Sequence, residues 1–535
     1  MGDIADSPPL QLHKWDDYVV VDNGIVNITF STPEGMVIAI QYNGVDNILE
    51  QNDRERDRGY WDVVWSKPEH PGDNTDRLEG MHFSVVLEDE DQVELSFKRT
   101  YSPSLSYKGV RLNVDKRYIV LRGISGFYSY SIFEHLEEHP PVVLYQGRIV
   151  FRLQEKLFRY MAVSDDRQRI MPTAEDRERG EPLDYPEAVL LTNPSETFLK
   201  GEVDDKYQYS CENKDNRVHG WISGDPAIGF WMITPSDEFR TAGPTKQDLT
   251  SHAGPITLSM LIETESWPYN FPLSEDYPYA NERGIVSGRL LVRDRYINNE
   301  LMTAGSSYVG LAAPGEAGSW QTENKGYQFW TQTDDEGYFL LEDVRAGNYS
   351  LYAWVPGFIG DYKYKFFINV RSGSKIKLGD IEYDPPRNGA TIWEIGIPDR
   401  TAAEFYVPAP NPMLLNQLYV QNSAQGFRQY GLWDRYTDDY PDQDLVYTVG
   451  VSNYQIDWFF AHVNSPHFTT GLIGQDNAIA RHGIHGLYRL YSVNVWGSLL
   501  LEGRNVIYLT QAVGGRPFRG IMYDYIRLEQ PGDQD

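Results

Sequence analysis

Residues 18–31, YVVVDNGIVNITFS, alternate apolar and polar side chains on both sides of an Asn-Gly step, and MVIAIQYNGV (36–45) repeats the pattern after a short break. A period of two puts one face of a strand on a core and leaves the other toward water. Outward from there, HFSVVLEDEDQVELSFKRTY (82–101) and VDKRYIVLRGISGFYSYSIFEH (114–135) continue in the same way between Gly, Asn and Asp turns. ERGEPLDYPEAVLLTN (178–193), VHGWISG (218–224) and GFWMITP (229–235) read as further strands. The pattern predicts an all-β protein that opens with a large β-sandwich over 1–280. DDRQRIMPTAEDRERGEP (165–182), dense in charge and broken by proline, is expected to be a long loop, the kind of segment that carries binding residues.

The chain has 535 residues, room for about three domains at roughly 100 to 200 residues each. A second unit, 281–386, has short, evenly spaced strands with DDEG (334–337) and RAGN (345–348) turns, which suggests a seven-strand sandwich of fibronectin type III kind. Pro-Pro-Arg-Asn-Gly (385–389) is its exit linker. The third unit, 387–535, reads as a jelly-roll carbohydrate-binding-like module with strands at TIWEIG (391–396), DLVYTVG (444–450), WFFAHVN (458–464), LLEGRNVIYLTQ (500–511) and GIMYDYIRLE (520–529).

A net charge of −29 disfavours nucleic acid and anionic membrane as partners, and no apolar run is long enough for a membrane helix. The first residues, MGDIADSPPLQLHKWDDYVVVDNG, lack the apolar core of a secretory signal, so either the mature protein is intracellular or a leader is missing or unconventional. The single cysteine, Cys211, excludes an intramolecular disulfide and reads as a buried, inert thiol. No HExxH, Cys/His zinc cluster, GxSxG, P-loop or strand-linked GxGxxG occurs. HGIHG (482–486) reads as a loop rather than a metal site, and the charged run at 52–59 as a solvated loop. No metal and no cofactor are expected.

GYWDVVW (59–65), DDRQRIMPT (165–173), GEVDDKYQYSCENKD (201–215), RVHGWIS (217–223), DEFRTAGPTKQDLTSH (237–252), YVGLAAPG (308–315), YAWVPGFIGDY (352–362), IWEIGIPDR (392–400), RQYGLWDRY (428–436) and IARHGIHGLY (479–488) are similar, in the same order, to plant rhamnogalacturonan lyases of polysaccharide lyase family 4. The resemblance implies a galactose mutarotase-like N-terminal β-sandwich that carries catalysis, then a fibronectin type III-like domain and a jelly roll. It also implies β-elimination at the rhamnose to galacturonic acid bond of rhamnogalacturonan I, with pectin as partner, a monomer, and an extracellular, cell-wall setting.

That chemistry needs a base for the C5 proton, a cation against the uronate carboxylate and an acid for the departing O4 oxygen. By resemblance Lys206 is the base. On an alternating strand Asp204 would share its face and Asp205 would point away, and a lysine base must be neutral, which nearby carboxylates oppose. The alternative for Lys206 is a solvent-facing partner of Asp204. Arg167 and Arg169, two apart, and Arg240 are candidates for the uronate, since guanidinium binds carboxylate bidentately, or else they pair with neighbouring acids such as Asp165, Asp166, Asp237 and Glu238. Tyr207 and exposed aromatics such as Tyr60, Trp61 and Trp65 are candidates for sugar contact, against a core role. For the acid, His252 and His219 lie in family-like blocks, with His219 the more readily explained as packing.

The family's catalytic histidine is expected shortly after the strand GPITLSM (254–260), but that strand runs straight into LIETESWPYNFPLSEDYP (261–278), and no histidine occurs between His252 and His462. A second omission is read where WFFAHVN meets SPHFTTGLIG (465–474). Three readings stay open: an endolyase with His252 or nothing at the acid position, a non-catalytic pectin-binding paralogue or shortened gene product, and, by fold analogy, a mutarotase-like epimerase.

Overall fold

The computed structural model describes residues 7–105, 109–165, 167–183, 187–234, 238–239, 243–260, 277–323, 326–401, 403–406, 430, 439–459, 461–467, 488–510 and 519–532. Within several of its strands and short helices, at 206 and 207 among other positions, it describes the backbone alone.

The opening alternation forms a hairpin. Tyr18–Asp22 pairs antiparallel with Val26–Ser31, with Val19 opposite Phe30 and Val21 opposite Ile28, all four buried. The turn works because buried Asn23 accepts from the Ile25 and Val26 amides (3.0 and 2.9 Å) while its Nδ2 donates to the carbonyls of Leu121 (2.9 Å) and Ile124 (2.7 Å). One side chain thus closes the hairpin and ties it to another sheet. Gly24 takes the left-handed conformation that the step requires, at φ 78°.

Four sheets surround one apolar core. Two are four-stranded meanders, Gln11 to Tyr42 and His82 to Glu134. A third is centred on Val143–Arg152 between Gly59–Lys67 and Ile256–Met260. The fourth runs Arg167–Ile170, Phe158–Ser164, Val218–Ser223, Ile228–Ile233. Three buried carboxylates inside this sandwich hold arginines. Asp62 takes Nε and Nη2 of Arg148 (2.8 and 2.7 Å), Asp76 takes both terminal nitrogens of Arg99 (3.1 and 2.6 Å), and Glu94 takes Arg117 and the Tyr130 hydroxyl (2.8 Å each). The 52–59 run is partly structural: Asp57 is buried and pairs with Arg54 and Arg77. Tyr60, Trp61 and Trp65 are buried, and the Trp61 indole donates to Ser129 Oγ (3.0 Å). Trp61 is therefore core and has no face to offer a sugar, contrary to the expectation.

The middle unit is a two-sheet sandwich built from seven strands of three or more residues, from Gly284–Val292 to Lys375–Tyr383, with two-residue pieces at Met302–Thr303 and Tyr362–Lys363. Its core holds Val286, Leu290, Leu311 and Leu351. In the third unit, Thr391–Gly396 pairs with Tyr525–Glu529 and Ala461–His467 with Arg519–Met522. GIMYDYIRLE is thus two short strands with different partners, and neither DLVYTVG nor 500–510 forms a strand. Tyr454–Asp457 is a short helix, and HGIHG lies outside the described residues.

Contacts cross between the units. Glu238–Phe239 pairs with Gln328–Gln332 of the middle sandwich. At Gly243, with φ +70°, a Cβ would meet the ring of Trp320 at 3.0 Å, so the 243 turn sits close against that unit. Ala188, Leu190 and Val203 share an apolar cluster with Ile395, Phe405 and Trp458 of the third unit. Among the described residues no helix is long and apolar enough to cross a membrane.

Lys116 is fully buried, its Nζ donating to the carbonyls of Glu34 (2.7 Å) and Gly35 (3.0 Å). Burial, and after it the Arg99 charge, pushes its ammonium down to about 7. The unfolded chain keeps lysine near about 10.4, so between these values the unfolded state binds more protons and stability rises with pH. Urea unfolding at a series of pH values from about 7 to about 9.5 is expected to show that rise, and Lys116→Met to flatten it.

Candidate active site

The strand carrying GEVDD stops at Asp204. Val203–Asp204 pairs with Val189–Leu190, Lys206–Tyr209 forms a 3₁₀ turn, and Ser210–Glu212 pairs with Gln247–Leu249. The stop has a local cause. Asp204 is fully buried, and one carboxylate oxygen accepts from the Gln208 amide and the Tyr209 hydroxyl (2.7 Å), which folds the next five residues back on it. The strand alternation expected for Asp204 and Lys206 therefore does not apply. Lys206 begins the turn, and the side chains of Lys206 and Tyr207 lie outside the described residues.

The other Asp204 oxygen is ion-paired with Arg177. Arg177 belongs to the helix Ala174–Glu178, so the expected loop 165–182 is in fact a strand (Arg167–Ile170), this helix and a short strand (Glu181–Pro182). ThrAlaGluAsp at 173–176 explains the helix. Thr173 Oγ1 accepts the Asp176 amide and Asp176 accepts the Thr173 amide, each at 3.0 Å. Burial alone would raise the Asp176 carboxyl, but hydrogen bonds from Thr173 and Ser195 hold it down at about 2. Arg177 also donates to the Glu187 carbonyl (2.7 Å), and Glu187 stands in the left-handed region at φ 73°, where a non-glycine residue needs such support.

Around the turn lie other charges. Arg169 makes a two-point ion pair with buried Glu202, 2.9 Å at each contact. Arg167 is 5% exposed, and its Nη1 has no hydrogen-bond partner. Among the described residues it has no carboxylate partner; Asp165 does not pair with it, and Asp166 lies outside them. Its charge reaches Cys211, on the strand directly after the turn, whose thiol burial pushes up to about 12. Cys211 is accordingly inert at neutral pH. Buried Tyr209 has its phenol pushed upward by burial, against the pull of Arg177 and Arg169. The His252 ring stacks on Tyr209 (centroids 5.7 Å apart, 12° between planes), with Nε2 3.8 Å from Glu187 Oε2.

The structure thus gathers Arg169, His252 and the Lys206 turn about Tyr209, with Arg167 nearby, while Arg240 lies outside the described residues and Trp61 is elsewhere in the core. His219 is packing: fully buried, it places Nδ1 3.1 Å from the Asn216 carbonyl and Nε2 2.8 Å from that of Leu258, and burial pushes its pKa down. Sequence reasoning missed Arg177, Glu187 and Glu202. The one readable signal was the Thr-x-x-Asp cap that builds a helix in the supposed loop.

A large sandwich with ionisable side chains gathered about Tyr209, followed by a fibronectin-like sandwich and a third β unit, is an architecture that suits a modular polysaccharide lyase. Comparison with known families agrees. The rhamnogalacturonate lyase family matches residues 4–203, polysaccharide lyase family 4 domain II matches 304–378, and domain III of that family matches in two pieces, 391–473 and 466–528. The rhamnogalacturonate lyase of Dickeya dadantii is 24% identical over 499 residues, covering 82% of this chain and 74% of its own length. Rhamnogalacturonate lyase B of Emericella nidulans is 22% identical, covering 84% and 73%. A relative from Aspergillus niger named probable rhamnogalacturonate lyase B is also 22% identical, and this chain spans 58% of its length. The chain belongs to the rhamnogalacturonate lyase family, polysaccharide lyase family 4.

Removing Arg177 leaves a buried carboxylate without its cation. Arg177→Ala is expected to cost about 3–5 kcal/mol of stability by urea unfolding, and Asp204→Asn in the same background to restore part of it.

Proposed function

We propose that this chain is a rhamnogalacturonan endolyase that cleaves the rhamnose to galacturonic acid bond of rhamnogalacturonan I by β-elimination. Beyond family membership, one observation supports the reading: a nearly buried guanidinium, Arg167, without a carboxylate partner among the described residues, next to the strand that leaves the Lys206 turn. An uncompensated buried cation is costly, and a uronate carboxylate would compensate it. Arg169, committed to Glu202, contributes positive charge as part of a pair. Asp204, whose oxygens are taken by Arg177, Gln208 and Tyr209, needs no lysine partner, which removes one obstacle to a neutral base at Lys206. Lys206 takes the C5 proton, electrons from that bond form the C4–C5 double bond, the C4–O4 bond breaks, and His252 protonates the departing oxygen. Since pectin is a wall polymer, the protein is assigned to the cell wall outside the plasma membrane, where it acts as a monomer.

A second reading is a pectin-binding protein without turnover. It is favoured by the lack of any histidine between His252 and His462 and by the two-piece match to domain III, whose pieces meet at 466–473, where an omission was expected.

Incubation with rhamnogalacturonan I, following the ultraviolet absorbance of unsaturated uronate, separates the two. The endolyase reading expects a steady rise that Lys206→Ala abolishes and Arg167→Gln lowers at least tenfold. A flat trace with polysaccharide binding intact establishes the binding protein instead.

A further inference from the structure

We infer that Glu187 is the positioning residue that makes His252 a working acid, and that Arg177 couples this acid to the base through a closed ring of contacts. The inference rests on the endolyase reading of Lys206 and His252. The ring runs through five residues, and at Glu187 it passes from the side chain to the main-chain carbonyl. His252 Nε2 lies 3.8 Å from Glu187 Oε2. The Glu187 carbonyl accepts from Arg177 Nη2 at 2.7 Å, and Arg177 Nη1 is paired with Asp204 Oδ2. Asp204 Oδ1 accepts from Tyr209, and Tyr209 stacks on His252. Asp204 precedes Lys206 by two residues and anchors its turn, so the guanidinium paired with that anchor also holds the backbone of the residue facing the acid.

Two independent features single out Glu187. It is a non-glycine residue at φ 73°, a conformation that costs of order 1–3 kcal/mol and recurs where function fixes the backbone. Its carboxylate also meets the imidazole nitrogen on one side only. Among the described residues the charged or titratable groups facing His252 are Glu187 and Tyr209, with Arg177 and Asp204 behind them and the Lys206 turn adjoining. With Nε2 oriented toward Glu187, Nδ1, which makes no hydrogen bond among the described residues, is the nitrogen that gives its proton to the leaving oxygen. The 3.8 Å ion-pair contact favours a proton on Nε2 and biases the ring for work at Nδ1, and closing it to a hydrogen bond on substrate binding would fix the tautomer.

The test uses the full chain with Glu187→Gln, which keeps size and backbone, and with Arg177→Lys. On rhamnogalacturonan I, Glu187→Gln is expected to lower kcat roughly tenfold to a hundredfold with KM nearly unchanged, within the ~10²–10⁴ that acid catalysis contributes. On a galacturonate carrying a nitrophenol-type leaving group at O4, which needs no acid, the same variant is expected to match the native protein, whereas Lys206→Ala fails on both. Histidine side-chain NMR supplies a readout free of turnover, in which the His252 ring resonances shift and broaden in Glu187→Gln and in Arg177→Lys. Unchanged resonances together with unchanged kcat in Glu187→Gln overturn the inference and leave the endolyase reading standing. Native protein that cleaves neither substrate overturns the endolyase reading, while the resonances still decide whether Glu187 holds the ring.

Discussion

The carboxylate of Asp204 is the constraint around which the site is arranged. A fully buried anion must have its charge and lone pairs met, since water is not there to do it. Meeting them recruits Arg177 from a helix 27 residues earlier and Gln208 and Tyr209 from the residues just ahead. The first partner fixes the helix against the sheet, and the other two end the strand and make the turn on which Lys206 sits. A strand that continued through residue 206 would leave that anion without two of its donors.

Charge balance follows the same logic throughout. The chain is strongly acidic as a whole, yet the buried carboxylates of the first sandwich hold arginines one by one: Asp62 with Arg148, Asp76 with Arg99, Glu94 with Arg117, Glu202 with Arg169. Against that regularity Arg167 stands out, because proteins rarely bury a cation without a counter-charge unless something else supplies it. On the proposed reading the missing partner is the substrate. A polyanionic chain is then drawn to an acidic protein by a local demand for charge rather than by a long-range field.

How much of this was legible in the sequence divides along physical lines. The period-two alternation of Val19, Val21, Ile28 and Phe30 is local, and it gave the hairpin, the buried face and the all-β class. The Asp-Asp-Glu-Gly turn of the middle sandwich was legible for the same reason: Asp334 accepts the amides of Glu336 and Tyr338, and Gly337 takes φ 86°. The turn at Lys206 was not, because Gln208 and Tyr209 fold back only on an Asp204 that tertiary packing has buried and that Arg177 neutralises from 27 residues away, and no local pattern encodes that burial. Trp61 was misread because aromatic composition does not say which face of a strand is buried. The family-like motifs named candidate residues, and geometry then committed Arg169 to Glu202 and His219 to two carbonyls.

The third unit takes part in the same construction. Val203, beside Asp204, and Ala188, beside Glu187, point into an apolar cluster completed by Ile395, Phe405 and Trp458. The short sheet Glu181–Pro182, Val189–Leu190, Val203–Asp204 is too small to hold itself, since two- and three-stranded pieces need an apolar surface to pack on. One side of it therefore carries the ion pair and the strained Glu187 backbone, and the other leans on a different unit of the chain. The third unit in this position forms part of the floor under Asp204, and through Arg177 its packing bears on the Lys206 turn and on Glu187 together.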